Sequence, residues 1–395
     1  MDTRLASALT VLSITFTVLV AAYIAAGPAP AVYWAVVSLL ALVCWLAFSP
    51  HDCDEQAVVV APYILAVTLV LVLDTFRYLS GSFALLEPHL NSRFPLTEAT
   101  WFAVFVTGPV SLMLLGGHCL SRRTALGSYM AWWTGVFAIA DGLLQLRLEF
   151  LGGLSYNHLY FGGALAALAL ILVGVIICQS LLQHTSAKAP PVRAARPGLT
   201  SRERDLWSLL FVSLVLIYGV MLYQQAGPLP VVVIAGSMLG GLIGWRNTTA
   251  LHPADPVKAV PLFLLLLALF YIHIGEEALT DFSGAIASIS GTPWSKQEFT
   301  LLIGLAGPIV WIFSAWSLWR RQPFGNFIFW FLIAGMIVGE PAHLLVFPVM
   351  AMNKFGIGYE YFSGMYTALF PMIPAILALV MIVGNHRQRT ASTSA

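Results

Sequence analysis

Apolar residues along this chain come in long runs, not in alternation or in short amphipathic stripes. A helix needs roughly 20 mostly apolar residues to cross a bilayer, and twelve stretches approach that length. They lie near 6–26, 31–48, 57–80, 99–118, 127–147, 159–182, 207–226, 229–246, 257–280, 299–319, 324–347 and 361–384. Polar punctuation separates them. The clearest break is 184–206, rich in Pro, Ala, Ser and Arg, which reads as a solvated linker. Residues 386–395 read as a disordered tail. The pattern predicts an all-α polytopic membrane protein of about ten to twelve spans. The first run follows Arg4 without a small-residue cleavage site and reads as a retained span, not a signal peptide.

Composition sharpens this picture. The chain has 395 residues, 59% hydrophobic and 9% charged. An ordinary soluble domain is about 25% charged, so a water-facing surface is excluded. A formal net charge of +1 gives no basis for nucleic-acid binding. Cys44, Cys53, Cys119 and Cys178 form no CxxC or His-paired spacing. The basic residues orient the chain. With both termini cytoplasmic, that side collects 14 of the 19 Lys and Arg, leaving only Arg77, Arg93, Arg147, Lys296 and Lys354 elsewhere. The expected location is the endoplasmic reticulum in a eukaryote or the inner membrane in a bacterium.

The two halves resemble each other. Tyr23…Gly27-Pro28 answers Tyr223…Gly227-Pro228, Gly108-Pro109 answers Gly307-Pro308, Arg122-Arg123 answers Arg320-Arg321, and Phe161-Gly162-Gly163 answers Phe362-Ser363-Gly364, at offsets of 198 to 201. Gly, Pro and Arg recur here, not interchangeable aliphatics. The expected organisation is two parallel six-span repeats: 1–183, the linker 184–206, and 207–385.

Ionisable groups inside a bilayer are costly and mark function by default. The second half holds Tyr271, His273, Glu276 and Glu277 in span nine, Glu298 and Thr300 at the head of span ten, Glu340 and His343 in span eleven, and Tyr361, Tyr366, Thr367 and Phe370 in span twelve. His273 and Glu277 are four apart and share a helix face. At 1.5 Å per residue, His273, Glu340 and Thr367 all fall about 9–10 Å below the non-cytoplasmic interface. Proton transfer suits such a set: a histidine tuned by carboxylates, with Phe270, Tyr271, Trp294, Tyr366 and Phe370 available to stabilise a carbocation. Two blander readings compete. His273 and Glu277 could simply lock helices together, and two histidines with three carboxylates could hold Zn²⁺, although the spacing fits no standard metal motif. No metal or cofactor is expected. In the first half, Asp74, Arg77 and Tyr78 stand where His273, Glu276 and Glu277 stand, and Asp141 stands near the place of Glu340. Asp74 and Arg77, three apart, predict an ion pair.

These residues resemble the EXPERA domain, found in emopamil-binding protein (a sterol isomerase) and in the transmembrane 6 superfamily. The resemblance rests on HxxxE at His273–Glu277, Gly307-Pro308…Trp311, Arg320-Arg321…Pro323, Gly335…Gly339-Glu340 and Tyr361-Phe362…Thr367…Phe370…Pro374. It covers about 257–384, and more weakly 57–182, in a tandem layout like that of the superfamily. It implies roles for His273 and Glu277 as the family's first pair and for Glu298, displaced by about one residue, as its second Glu. Thr367 stands in place of the family's Asn and Phe370 in place of its Trp. The string His-Ile-Gly-Glu-Glu also fits the HXXEE family of membrane proteins. The resulting expectation is an acid/base double-bond isomerase of a sterol-like or terpenoid lipid. Its catalytic residues are His273, Glu276, Glu277, Glu298 and Glu340, and its substrate contacts are Tyr271, Thr300, His343, Tyr366, Thr367 and Phe370. The alternatives are a non-enzymatic lipid binder or carrier, and a secondary transporter with a midplane site shared between the halves.

Overall fold

The structure is a computed structural model and describes residues 3–48, 58–81, 97–151, 158–183 and 197–393. Among these, every regular element is helical. Ten helical stretches are long and apolar enough to cross a bilayer, where each backbone group must be satisfied within its own segment. The chain is an all-α, multi-pass membrane protein. Helices also fill the other two expected spans: Thr3–Ala26, whose apolar stretch Leu9–Ala21 is shorter, and Ala125–Leu151, which carries Asp141, Arg147 and Glu149.

Two compact units divide the chain, Met1–Val192 and Arg193–Ala395. The division falls inside the expected linker, of which 184–196 lie outside the described residues. The first unit contains α1 (Thr3–Ala26), α2 (Pro28–Phe48), α3 (Val60–Ser80), α4 (Glu98–Trp101), α5 (Gly108–Ser121), α6 (Ala125–Leu151) and α7 (His158–Gln183). A π-helical segment, Phe102–Thr107, joins α4 to α5. The core of this unit holds a buried polar network. The Arg77 guanidinium donates to Asp74 and to Asp141, each at 3.0 Å, and to the Gln145 side-chain oxygen at 2.8 Å. The Asp74–Arg77 pair is the one that three-residue spacing predicts.

The second unit contains α8 (Ser201–Ala226), α9 (Pro228–Asn247), α10 (Pro256–Leu279), α11 (Phe282–Ser290), α12 (Lys296–Phe299), α13 (Gly307–Trp319), α14 (Pro323–Ala334), α15 (Ala342–Leu345), α16 (Phe347–Phe355) and α17 (Leu369–Thr393). α9 packs on α8 and α14, and α10 packs on α13 and α17. Four boundaries differ from the hydropathy reading. α8 starts at Ser201, inside the expected linker, because Thr200 and Glu203 form a capping box. Span eleven is not one helix. α14 ends at Ala334, a π-helical segment covers Gly335–Gly339, and two short helices follow. Pro341 is the cause: its ring lacks an N–H and clashes with the preceding turn. The π segment absorbs the mismatch, with the Glu340 N–H bonding five residues back to the Gly335 carbonyl at 3.3 Å. Span twelve starts at Leu369 rather than 361, leaving 356–368 non-helical. Its far end stays helical to Thr393, past the start of the expected tail.

Candidate active site

The site is built on the last two turns of α10. Asp255 caps this helix by accepting from the Val257 N–H, with Pro256 in its first turn. Four-residue spacing then stacks His273 and Glu277 on the inward face, at 0% and 5% exposure. Glu276, about 100° around the helix, falls on the face turned toward 361–367.

The break in span eleven supplies the other half. Glu340 ends the π segment's turn, and His343 follows three residues later on the same side. Four side chains therefore converge. The His273 Nε2 atom lies 2.9 Å from a Glu340 oxygen and 3.6 Å from a Glu277 oxygen, and the His343 Nε2 atom lies 3.5 Å from that same Glu277 oxygen. The two imidazoles meet edge to face at 4.8 Å.

Each imidazole is held from behind. His343 Nδ1 lies 2.8 Å from the Ser363 carbonyl oxygen. A carbonyl only accepts, so Nδ1 carries the proton. His273 Nδ1 lies 3.0 Å from the Thr367 hydroxyl. That hydroxyl gives its single proton to Glu276, so it accepts from His273 Nδ1–H. Both rings are thus fixed in one sense, with Nε2 aimed at the carboxylates.

Glu276 anchors this arrangement. Its carboxylate accepts from the Tyr361 hydroxyl at 2.6 Å, from the Tyr366 and Thr367 N–H groups at 3.1 and 2.8 Å, and from the Thr367 hydroxyl at 2.5 Å. It thereby pins the irregular segment 361–367 to α10. Burial, then the hydrogen-bonded Glu276 carboxylate, pushes the Tyr361 phenol up, so it stays a donor. Gly364 lets this segment come close. Its φ is +86°, and a β-carbon there would stand 2.5 Å from His343 Nδ1 and 2.9 Å from His273 Cε1.

An apolar cavity of about 90 Å³ adjoins the cluster. Glu277, Glu340 and His343 form its polar wall, and Phe270, Phe282, Trp294, Phe299 and Phe347 its aromatic one. Leu229, Pro230, Val233 and Ile234 of α9 complete it.

Of the residues expected from sequence, His273, Glu277, Glu340, His343 and Thr367 come together. Glu276 joins them as an anchor, not as a group facing the cavity. Glu298 does not join: its carboxylate turns back to accept from the N–H and hydroxyl of Ser295 in a capping box. Tyr271 donates to the Gly304 carbonyl at 2.7 Å, tying α10 to the π-helical segment Thr300–Ala306. Thr300 is buried at the head of that segment, away from the cavity lining. Tyr366 is 76% exposed and stacks on Tyr361, and Phe370 is 43% exposed on α17. Neither reaches the cavity. Ser363 and Gly364 stand out in the sequence only as a repeat match, Phe362 through that match and the EXPERA resemblance, and Phe282 and Phe347 carry no signal beyond hydrophobicity. No family model matches the chain, and neither does any curated protein or solved structure.

Proposed function

We propose that the second unit is an intramembrane enzyme that moves a double bond in a terpenoid or sterol-like lipid, with Glu277 as the group exchanging protons with substrate. One observation carries this reading: the Glu277 carboxylate lines an aromatic-walled cavity and stands 3.5–3.6 Å from the Nε2 atoms of two buried histidines. Glu277 in its acid form delivers a proton to one carbon of the C=C bond. The resulting cation is stabilised by the faces of Phe270, Trp294 and Phe299. The carboxylate then takes a proton from the neighbouring allylic carbon, so the lipid keeps its composition and Glu277 returns to its starting form. The cavity, about 90 Å³, holds the reacting segment, not a whole lipid.

The resemblance to the EXPERA domain supplies the reaction class. The proposal also includes the two-copy layout. In its support, each unit has a π-helical segment directly before Gly-Pro, at Phe102–Thr107 and Thr300–Ala306. Each also has a positive φ at the second residue of Arg-Arg, 58° at Arg123 and 57° at Arg321. Cytoplasmic termini complete it, resting on the distribution of Lys and Arg.

The test is a comparison of lipid extracts from cells carrying wild-type chain, Glu277→Gln or no chain. The expected result is a lipid isomer of unchanged mass in the first only, with the variant's rate down roughly 100-fold or more. A lipid pool that changes in distribution but contains no new isomer sinks the enzyme and supports a carrier.

A further inference from the structure

The four converging groups have an electrostatic problem. Both histidines carry their proton on Nδ1, committed to Thr367 and to the Ser363 carbonyl. In the neutral rings both Nε2 atoms are therefore lone pairs, and they face the carboxyl groups of Glu277 and Glu340. These groups satisfy one another only with a proton or a metal cation held among them. The contact geometry agrees. His273 Nε2 and Glu340 Oε2 are 2.9 Å apart, yet both are buried atoms without a hydrogen-bond partner. Burial makes such a gap expensive unless a shared proton or a metal cation fills it.

We infer that His273, Glu340 and His343 form a binding site for a divalent transition metal of the zinc type. The inference goes beyond the lipid reading and does not rest on it. Two His and one Glu, with a further position open, is the ligand set of catalytic zinc. Glu-x-x-His on one helix face is how helix bundles present metal ligands from a single segment. The outer contacts fit as well: a metal-bound imidazole donates its other N–H to a carbonyl or other oxygen, as both rings do here. The three ligand atoms lie within 4.8 Å of one another. Ligands around a tetrahedral ion at about 2.0–2.1 Å sit about 3.4 Å apart, so an occupied site is tighter by about 1.4 Å at its widest. Glu277, whose oxygen lies 3.5–3.6 Å from both Nε2 atoms, lines the cavity beside these ligands and is free to face a bound substrate. The sequence offers these residues as possible Zn²⁺ ligands but not their convergence, because His273 and Glu340 lie 67 residues apart and the second segment is a broken helix.

The test uses the full chain, purified in detergent from cells grown with added zinc and passed over chelating resin. Elemental analysis is expected to find about one zinc ion per chain, and less than roughly a tenth of that in Glu340→Gln and His343→Ala. Only monodisperse protein of unchanged helicity is scored. Cobalt added to stripped wild-type protein should give the visible absorption of a four-coordinate site. His343→Cys keeps a ligand and should add a thiolate-to-cobalt band, which a purely structural histidine would not produce. Folded wild-type protein with neither zinc nor a cobalt spectrum overturns the inference, as does wild-type metal content in His343→Ala. Bound metal in a protein that alters no lipid supports the inference and sinks the lipid reading. Absent metal in a protein that still moves a double bond does the reverse.

Discussion

Gly364 separates backbone geometry from chemistry at a single residue. Its φ of +86° and its approach to both imidazoles leave no place for a β-carbon. Gly364→Ala should cost about 1–2 kcal/mol from the left-handed backbone alone, and more from displacing His343. The expected outcome is a lower melting temperature together with loss of the lipid isomer; unchanged activity would mean the rings need not be held this tightly. The two glutamates that do not line the cavity, Glu276 and Glu298, then divide by role. Glu276→Gln removes the carboxylate that accepts from two backbone N–H groups and two hydroxyls. Faster amide exchange at Tyr366 and Thr367 should appear first, with activity falling as a consequence. Glu298→Gln should leave activity intact and lower stability by no more than about 1 kcal/mol, the scale of a helix cap. A large activity loss in Glu298→Gln would restore that residue to the site. His273, Glu277, Glu340 and His343 were legible because ionisable groups stand out in an apolar run. Glu298 is the expected residue that the structure does not bring to the cluster: Ser295-Lys-Gln-Glu298 is a capping-box string, and its carboxylate accepts from the Ser295 N–H and hydroxyl. The Ser363 carbonyl was invisible, because every residue has one and only the fold says where it points.

At the scale of elements, the break in span eleven makes the site possible. Hydropathy averages over a window, so it found the apolar length of 324–347 but not the π segment or the turn at Glu340-Pro341. The same averaging placed Thr367 on a helix, whereas 361–367 is an irregular strap that Glu276 fastens down. Pro341→Ala permits a regular helix through Glu340 and His343. Each residue absorbed or released there turns the following side chains by about 100°, enough to move His343 off its partners. The protein should keep its helical circular dichroism and its thermal stability while losing the isomer and, under the metal inference, the cobalt spectrum. A variant that keeps both readouts would show that the kink is incidental to the site.

For the whole molecule, the placement of charge makes a claim about membrane sidedness. Arg321 approaches the Asp255 carboxylate at 3.8 Å, so the Arg320-Arg321 loop sits beside the start of α10. His273 lies 18 residues further along that helix, about 27 Å away at 1.5 Å per residue, nearly the hydrocarbon thickness of a bilayer. Lys354 sits at the cluster's end of the unit, its ammonium donating to the Ile289 carbonyl at 3.4 Å. The basic loop and the cluster therefore lie toward opposite ends of α10. If Arg-rich loops are cytoplasmic, the cluster lies in the non-cytoplasmic leaflet, and the proposed substrate reaches it from there. In a background without the four native cysteines, Lys354→Cys should react with an impermeant maleimide applied to intact cells or sealed, right-side-out vesicles. Arg321→Cys should react only after permeabilisation. The reverse pattern would invert the chain and put the substrate in the cytoplasmic leaflet. Labelling of both from one side would break the span between them, and with it the depth argument that brought His273 and Glu340 to a common level.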